Sequence, residues 1–463
     1  MTLPADAPGV AHAVQDAVSS QSRVAVRSGG HCLEGFVADP AVRSLIDMTR
    51  LRGVEFDERR RSFAVGAGTD LGTLYEMLFK RWGVTVPGGV CPQVGAGGHI
   101  SGGGYGALSR RFGLVVDHLE AVEVVTVDHS GRARVVIAEA DPSGRNHDLW
   151  WAHTGGGGGN FGVVTRYWLR DPAASRLAAP DELLPIPPRT LTIRHASWPW
   201  TVLDTAAYGR VVDNFVRWHE QHSKAGTPET GVFATLWLNS VTTGDLVLIA
   251  QADDAALLDD FVAAVGDGVP APTVTPDRTL PWWDAFRYSS FADFGRSIGQ
   301  RIKDKSSYLR AGFRPAQLIA LVDRLADGTP GGVGATVLLA GHGGAVNQMA
   351  PASRAIPHRD SVVKVQYSVS WADPADDAIH LDWIRRLYRD VFASTGGVPV
   401  PDAVSDGAYI NYPDTDLADA TWNTSAVAWS HLYYKDNYRR LQKVKRAHDP
   451  LDIFHHALSV RPR

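Results

Sequence analysis

The chain is poor in several things that would define other classes of protein. Among its 463 residues there are two cysteines, Cys32 and Cys91, and four methionines. Two cysteines make no disulfide framework and say little about compartment. Charge of one sign is also missing, because 46 Lys and Arg against 50 Asp and Glu leave a net charge of −4. With no basic stripe, the electrostatic case for a nucleic-acid partner falls away. No apolar run approaches the length of a membrane span, so no membrane-embedded segment is expected. The opening, MTLPADAPGVAHAV, lacks a basic stretch leading into an apolar one. The sequence therefore reads as cytoplasmic, unless a leader precedes Met1. His455 and His456 have no partners at ligand spacing, and no metal is expected.

What the chain has in excess is glycine. From Pro87 to Asp117 it reads PGGVCPQVGAGGHISGGGYGALSRRFGLVVD, in which ten of 31 residues are glycine. Glycine is costly to order, so such density points to positive φ or to close approach of backbone to a ligand. The run also carries a thiol (Cys91), an imidazole (His99) and a phenol (Tyr105), the composition of a ligand cradle. A glycine-rich structural turn is the competing reading. Upstream, VAVRSGGHCLEGF places His31 after a short apolar strand and a Gly-Gly turn, where loops commonly hold cofactors. By itself His31 would pass for a structural histidine.

Taken together, RSGGH and GGVCPxVGxGGHxxGGGYG resemble the berberine-bridge-enzyme-like branch of the vanillyl-alcohol-oxidase type flavoproteins. The resemblance implies an α+β chain. A PCMH-type FAD-binding domain would be joined to a substrate domain with a mostly antiparallel sheet flanked by helices. It implies FAD attached by two bonds, from His31 to the 8-methyl group and from Cys91 to carbon 6 of the isoalloxazine. Arg27, Ser28, Gly29 and Gly30 would complete the first cofactor loop, with Val94, Gly95, Gly98, His99, Gly102 and Gly103 in the second. His99 matches a histidine that contacts the ribityl chain and supports negative charge on the reduced ring. Val94 matches a position where a small residue goes with oxygen access, which favours an oxidase. Leu33 departs from the aromatic residue the family often has there. Cys32 reads as a buried bystander.

Taken in order, residues 1–27 read as a helix, Pro8–Ser19, feeding a strand, Arg23–Arg27. By the position of the family's flavin histidine, the chain is expected to be short by about a helix and a strand at its start. A strand ends at Gly66, and Thr69 or Asp70 caps a helix through Lys80. After a strand at Ala121–Val127 comes DLWWAHTGGGGGNFGVVTRYWL, where Gly157, Gly159 and Gly162 fit G-x-G-x-x-G. A dinucleotide fold needs a strand before that motif and a helix after it, and here the order is reversed. The run instead matches a family hallmark lying along FAD, which implicates Gly158, Asn160, Gly162 and Val163; a purely structural turn stays open.

Residues 171–188 are rich in Pro and Ala and read as a crossing between domains. Beyond them the pattern becomes strands and helices of an antiparallel sheet with helices on one side. The tail, NYRRLQKVKRAHDPLDIF, puts Tyr438, Leu441 and Val444 on one helical stripe ended by Pro450. It resembles the family's C-terminal signature, and Asn437 and Tyr438 join the cofactor-binding set. The expected division is 1–180 for the FAD-binding domain, 181–400 for the substrate domain and 401–463 for a segment returning to the first. Among 14 tryptophans, Trp237, Trp282, Trp283 and Trp371 sit at candidate pocket positions, although most are expected in the core.

A flavin oxidising an alcohol needs a base for the hydroxyl proton, and Tyr412 in INYPD is the first choice. A phenol near pKa ~10 requires a neighbouring cation to ionise at neutral pH. Lys364 and Gln366 alternate in VKVQYSV and so share a strand face. With Tyr412 and Tyr105, fourteen residues after Cys91, they match a set found in alcohol-oxidising members of the family; a solvated edge-strand lysine is the bland alternative. The expected activity is oxidation of a secondary alcohol or sugar hydroxyl on a natural product, with O2 reduced to H2O2. Oxidative cyclisation or C–N oxidation of an alkaloid-like substrate is the alternative enzyme, and a flavin-bearing, drug-sequestering binder the alternative from another class.

Overall fold

A computed structural model of the chain describes residues 1–289 and 300–462. It opens with α1 (Ala7–Ser19), whose cap Asp6 accepts the Gly9 N–H. The strand β1 (Val24–Arg27) pairs in parallel with β2 (Ser44–Asp47). β3 (Val54–Asp57) and β4 (Ser62–Gly66) form an antiparallel pair. Asp70, not Thr69, caps α2 (Leu71–Trp82), which runs to a left-handed Gly83 two residues beyond the expected end. The glycine stretch holds two short helices, α3 (Ala96–Ser101) and α4 (Ser109–Phe112). β5 (Leu119–Val127), β6 (Ala133–Glu139), α5 (His147–Ala152) and β7 (Val163–Leu169) follow, giving a five-stranded sheet in the order β3-β4-β7-β5-β6. A helix precedes the G-x-G-x-x-G run and a strand follows it, as the rejection of a dinucleotide fold requires.

The second sheet is larger. Its elements are β8 (Thr190–Trp198), α6 (Thr205–Gln221), β9 (Phe233–Asn239), β10 (Leu246–Ala252), α7 (Ala255–Val265), β11 (Thr273–Val274), β12 (Arg278–Pro281), α8 (Trp282–Ser289), β13 (Arg301–Leu309), α9 (Pro315–Ala326), β14 (Gly334–Gly341), β15 (Val363–Trp371) and α10 (Asp377–Val391). The order is β11-β8-β10-β9-β14-β15-β13, with β12 also on β8, and every pairing is antiparallel. Leu236, Leu248, Val337, Leu339, Val365 and Tyr367 are fully buried on the face covered by α6, α7, α9 and α10. The opposite face is half-exposed away from β15. This is the α+β architecture expected, with helices on one side of the sheet.

Among the strands with no counterpart in the sequence reading (β3, β6, β11, β12 and β13), the last is the least expected. β13 is RIKDKSSYL, yet Lys303, Asp304 and Lys305 are at most 5% exposed. A polar run reads as a loop because burying unpaired charge is prohibitive, and the partners that make this burial tolerable come from segments remote in sequence. The tail ends in α11 (Trp429–Tyr434) and α12 (Tyr438–His448), the latter stopping ahead of Pro450 with Leu441 and Val444 buried. Lys445, fully buried beside them, donates to the Asn160 carbonyl at 2.8 Å and to Asp449 at 2.7 Å. The helix thereby holds the glycine loop that precedes β7.

Candidate active site

The cradle is made by backbone meeting backbone. A Cβ on Gly29 would collide with the Gly95 nitrogen, and one on Gly95 with the Ser28 hydroxyl. Only residues without side chains let the loop carrying His31 lie against the loop carrying Cys91. The Ser28 hydroxyl donates to the Ala67 carbonyl at 2.6 Å and Arg27 Nε to Asp47 at 2.9 Å, so both side chains brace the loop. His31 lies exposed beyond the positive-φ turn at Gly30, while Cys91 is half-buried, its thiol pushed up to about 11 by burial. Cys32 was expected to be buried. It is an exposed free thiol instead, donating to the Glu34 carbonyl at 2.9 Å.

Room remains in both glycine loops, since a Cβ on Gly98 or Gly158 would meet nothing within 4 Å. His99 Nε2 accepts the Gly89 N–H at 3.0 Å, which puts the ring proton on Nδ1. Burial, helped by Lys364, lowers this imidazole to about 4, so it offers a neutral N–H and no charge near pH 7. Open backbone, a neutral donor and a half-buried thiol fit a flat polar cofactor such as FAD. Val94 packs against the core, its carbonyl accepting the Leu71 N–H at 2.9 Å. Gly102 runs beneath Asn411, whose side chain a Cβ there would strike, and Gly103 lies against Ile356. Asn411 in turn donates to the His99 carbonyl at 3.0 Å.

Other members of the expected cofactor set serve the backbone. Asn160 donates to the carbonyls of Gly156 and Gly157 at 3.0 and 3.2 Å and accepts from the Val460 N–H at 2.8 Å. Asn437 donates to the Pro351 and Arg354 carbonyls, both at 2.9 Å. Gly162 packs on the Val125 carbonyl, and Val163 opens β7. Tyr438 lines a surface cavity of about 440 Å³ with Lys435, Arg439 and Arg461. Trp282 and Trp371 are core residues at 5% and 4% exposure, whereas Trp237 and Trp283 are half-buried. His456 stacks on Phe36 at 4.2 Å. Among the described residues no group of three His, Cys, Asp or Glu is placed to hold a metal ion, and no helix is long and apolar enough to cross a membrane.

Lys364 stands inside a cage of tyrosines. Its Nζ donates to the Tyr412 hydroxyl at 3.0 Å and lies 4.3, 4.6 and 5.1 Å from the ring centroids of Tyr412, Tyr105 and Tyr409. β15 is flanked by β13 and β14, so Lys364 is no edge-strand lysine; it is 6% exposed. Burial pulls its pKa down to about 7 and pushes those of Tyr412 and Tyr105 up. The Tyr105 hydroxyl donates to the Gly341 carbonyl, so its ring rather than its proton faces Lys364. Gln366 donates to Asp304 at 3.0 Å. Tyr409, raised to about 12 by burial, was not anticipated; the one signal for it was its place three residues before Tyr412.

Behind the cage lies a buried ionic lattice. Lys303 meets Glu34 at 2.8 Å and Asp414 at 2.9 Å, Lys305 meets Asp414 and Asp416 at 2.8 and 2.6 Å, and Arg385 meets Asp416 at 2.8 Å. Glu34 also accepts the Thr415 N–H at 2.9 Å. The loop of His31 and the turn after Tyr412 are thus fastened to the same charges on β13.

Known proteins share this fold. The FAD binding domain family matches residues 1–134, and the berberine and berberine-like family matches residues 408–461. The aclacinomycin-N/aclacinomycin-A oxidase of Streptomyces galilaeus is 50% identical over 459 residues, 98% of this chain and 83% of that protein. The crystal structure of aclacinomycin oxidoreductase superposes with a TM-score of 0.95 at 49% identity, covering 100% of this chain and 94% of that one. A glycopeptide hexose oxidase complexed with teicoplanin gives 0.93 at 45% identity, covering 99% and 93%. The chain belongs to the berberine-bridge-enzyme-like FAD-linked oxidoreductases, as an FAD-dependent oxidase of the aclacinomycin and hexose oxidase type.

Proposed function

We propose that the chain oxidises a secondary alcohol or sugar hydroxyl of a glycosylated natural product, with FAD held through both His31 and Cys91. The observation that carries this reading is the Lys364–Tyr412 contact, a base and its counter-cation buried beside the glycine cradle. Bound FAD supplies the two-electron acceptor that takes a hydride and is reoxidised by O2 to give H2O2.

The residues divide the remaining work. A Lys364–Tyr412 pair that has lost one proton accepts the alcohol proton at the Tyr412 hydroxyl oxygen, while the ammonium holds the phenolate. The rings of Tyr105 and Tyr409 surround that ammonium and offer it their faces. His99 offers its N–H within the cradle. Small Val94 leaves room for oxygen. On the open face of the larger sheet, Gln366, Leu338, Trp237 and Val247 stand opposite one another on successive strands, a row leading away from the base. Mixed aromatic and polar surface of this kind suits the sugar and ring systems of a bulky glycoside. The two larger sheets, spanning residues 54–169 and 190–371, support the division into FAD-binding (1–180), substrate (181–400) and returning C-terminal (401–463) parts.

The test is to precipitate the holoprotein with acid, digest it and locate the flavin by mass and absorbance. Peptides containing His31 and Cys91 joined by one FAD are expected. Flavin that washes away sinks the two-bond attachment. Peroxide release is then followed with aclacinomycin A, teicoplanin and glucose, and no release from any glycoside or alcohol sinks the proposed chemistry.

A further inference from the structure

Asp304 has no part in the chemistry described so far, yet it is 1% exposed beside the base. It stands opposite Ser368, and the next pairs along the two strands are Ser306–Gln366 and Tyr308–Lys364. Opposed residues share a face, so Asp304 lies on the face of Gln366 and Lys364. Oδ2 accepts the Gln366 amide, and the Ser368 hydroxyl across the pair also favours the charged carboxylate. A carboxylate buried this deeply without a cation in direct contact among the described residues costs stability, and a group retained at such cost calls for a reason. The charged and titratable groups around it are Lys303 on its own strand, Glu34 from the loop after β1, Lys364 on β15 and Tyr412.

An ionised carboxylate can only accept hydrogen bonds. A glutamine next to one must turn its NH2 toward it and its carbonyl oxygen away. We propose that Asp304 is a positioning residue of this oxidase, fixing Gln366 as a hydrogen-bond acceptor for the substrate and sustaining the positive charge on Lys364. This rests on the reading of Tyr412 and Lys364 as base and counter-cation. A hydroxyl-bearing substrate then meets an acceptor at Gln366 and a proton acceptor at Tyr412, and an analogue lacking the hydroxyl leaves both unmet.

The experiment compares the holoenzymes of Asp304→Asn, Asp304→Leu, Gln366→Ala and Lys364→Met with the parent, using peroxide release from aclacinomycin A and glucose across pH 5 to 9. Without the negative charge, Lys364 gives up its proton more readily, so the acid limb of kcat in Asp304→Asn moves to lower pH. Asp304→Leu raises KM by about tenfold, as Gln366→Ala does, because the amide is no longer oriented. Thermal melting separates a structural role. Burial raises the Asp304 carboxyl to about 6, so its contribution to stability is fully present at low pH and falls as pH rises through that value. Asp304→Asn therefore melts higher than the parent at pH 8, whereas a residue needed for the fold would melt lower. An unmoved acid limb with a lowered melting point in Asp304→Asn overturns the proposal while Gln366→Ala and Lys364→Met remain slow. Unimpaired turnover in those two variants brings down the underlying reading, and the proposal with it.

Discussion

Lys364 and Tyr412 exchange a hydrogen bond in a buried setting, so their protons titrate as a pair and not as two side chains. The fully protonated pair holds an ammonium and a phenol, and in the proposed chemistry the loss of one proton makes it competent as a base whichever atom gave it up. Because burial sets Lys364 near 7, kcat is expected to rise as pH climbs through about 7 and to level above it. A pH profile at saturating substrate checks this, and Lys364→Met should lose the limb, since Tyr412 without the ammonium ionises only far above that range. Tyr412→Phe is expected to lower kcat by ~10²–10⁴ with KM changed only a few-fold, the loss typical of a general base. Equal turnover in that variant would discard Tyr412 as the base. At Cys91 the thiol is held protonated by its surroundings. Cys91→Ser is expected to keep acid-stable flavin on the His31 peptide alone, as read by mass.

Among the described strands, β13 carries the most charged side chains. Taking Lys303 out of a lattice that holds Glu34 and Asp414 leaves those carboxylates buried and short of a cation. Lys303→Met is expected to cost about 3–5 kcal/mol, read from denaturant unfolding, because removing one partner of a buried pair is far worse than never having built it. The same strand marks where sequence reasoning stopped. Helices with capping residues and apolar stripes, such as α2 and α7, and alternating strands, such as β9 and β10, announce themselves because their signal is local. RIKDKSSYL has no local reason to be a strand. Its reasons are Glu34, Asp414 and Asp416, which no spacing connects to it. The site divides the same way. The Cys91 loop read as a cradle from its glycine density, whereas His31, Tyr412, Lys364 and Gln366 were picked out by the resemblance to a family pattern. Tyr409 and Asp304 become visible only once strands pair and the turn before Tyr412 folds across them.

Over the whole molecule, one sheet presents two chemically different faces. Its buried face is aliphatic and covered by helices, and its open face runs from Gln366 through Leu338 to Trp237. Trp237→Ala is expected to raise KM for aclacinomycin A by about tenfold while leaving that for glucose nearly unchanged, since a single hexose does not reach the second and third positions of the row. Comparable losses for both probes in steady-state assays would place the glycoside elsewhere.

The fastening of Glu34 to both Lys303 and Thr415 carries a consequence for how substrate arrives. Parting the His31 loop from the Tyr412 turn would break buried ion pairs on every turnover, whereas the sheet's open face can be approached with those contacts intact. Access is then a matter of traffic over a standing threshold, without a door to swing. For its best substrate, kcat/KM should fall with solvent viscosity as an encounter does, and cross-linking the two loops should leave it unchanged.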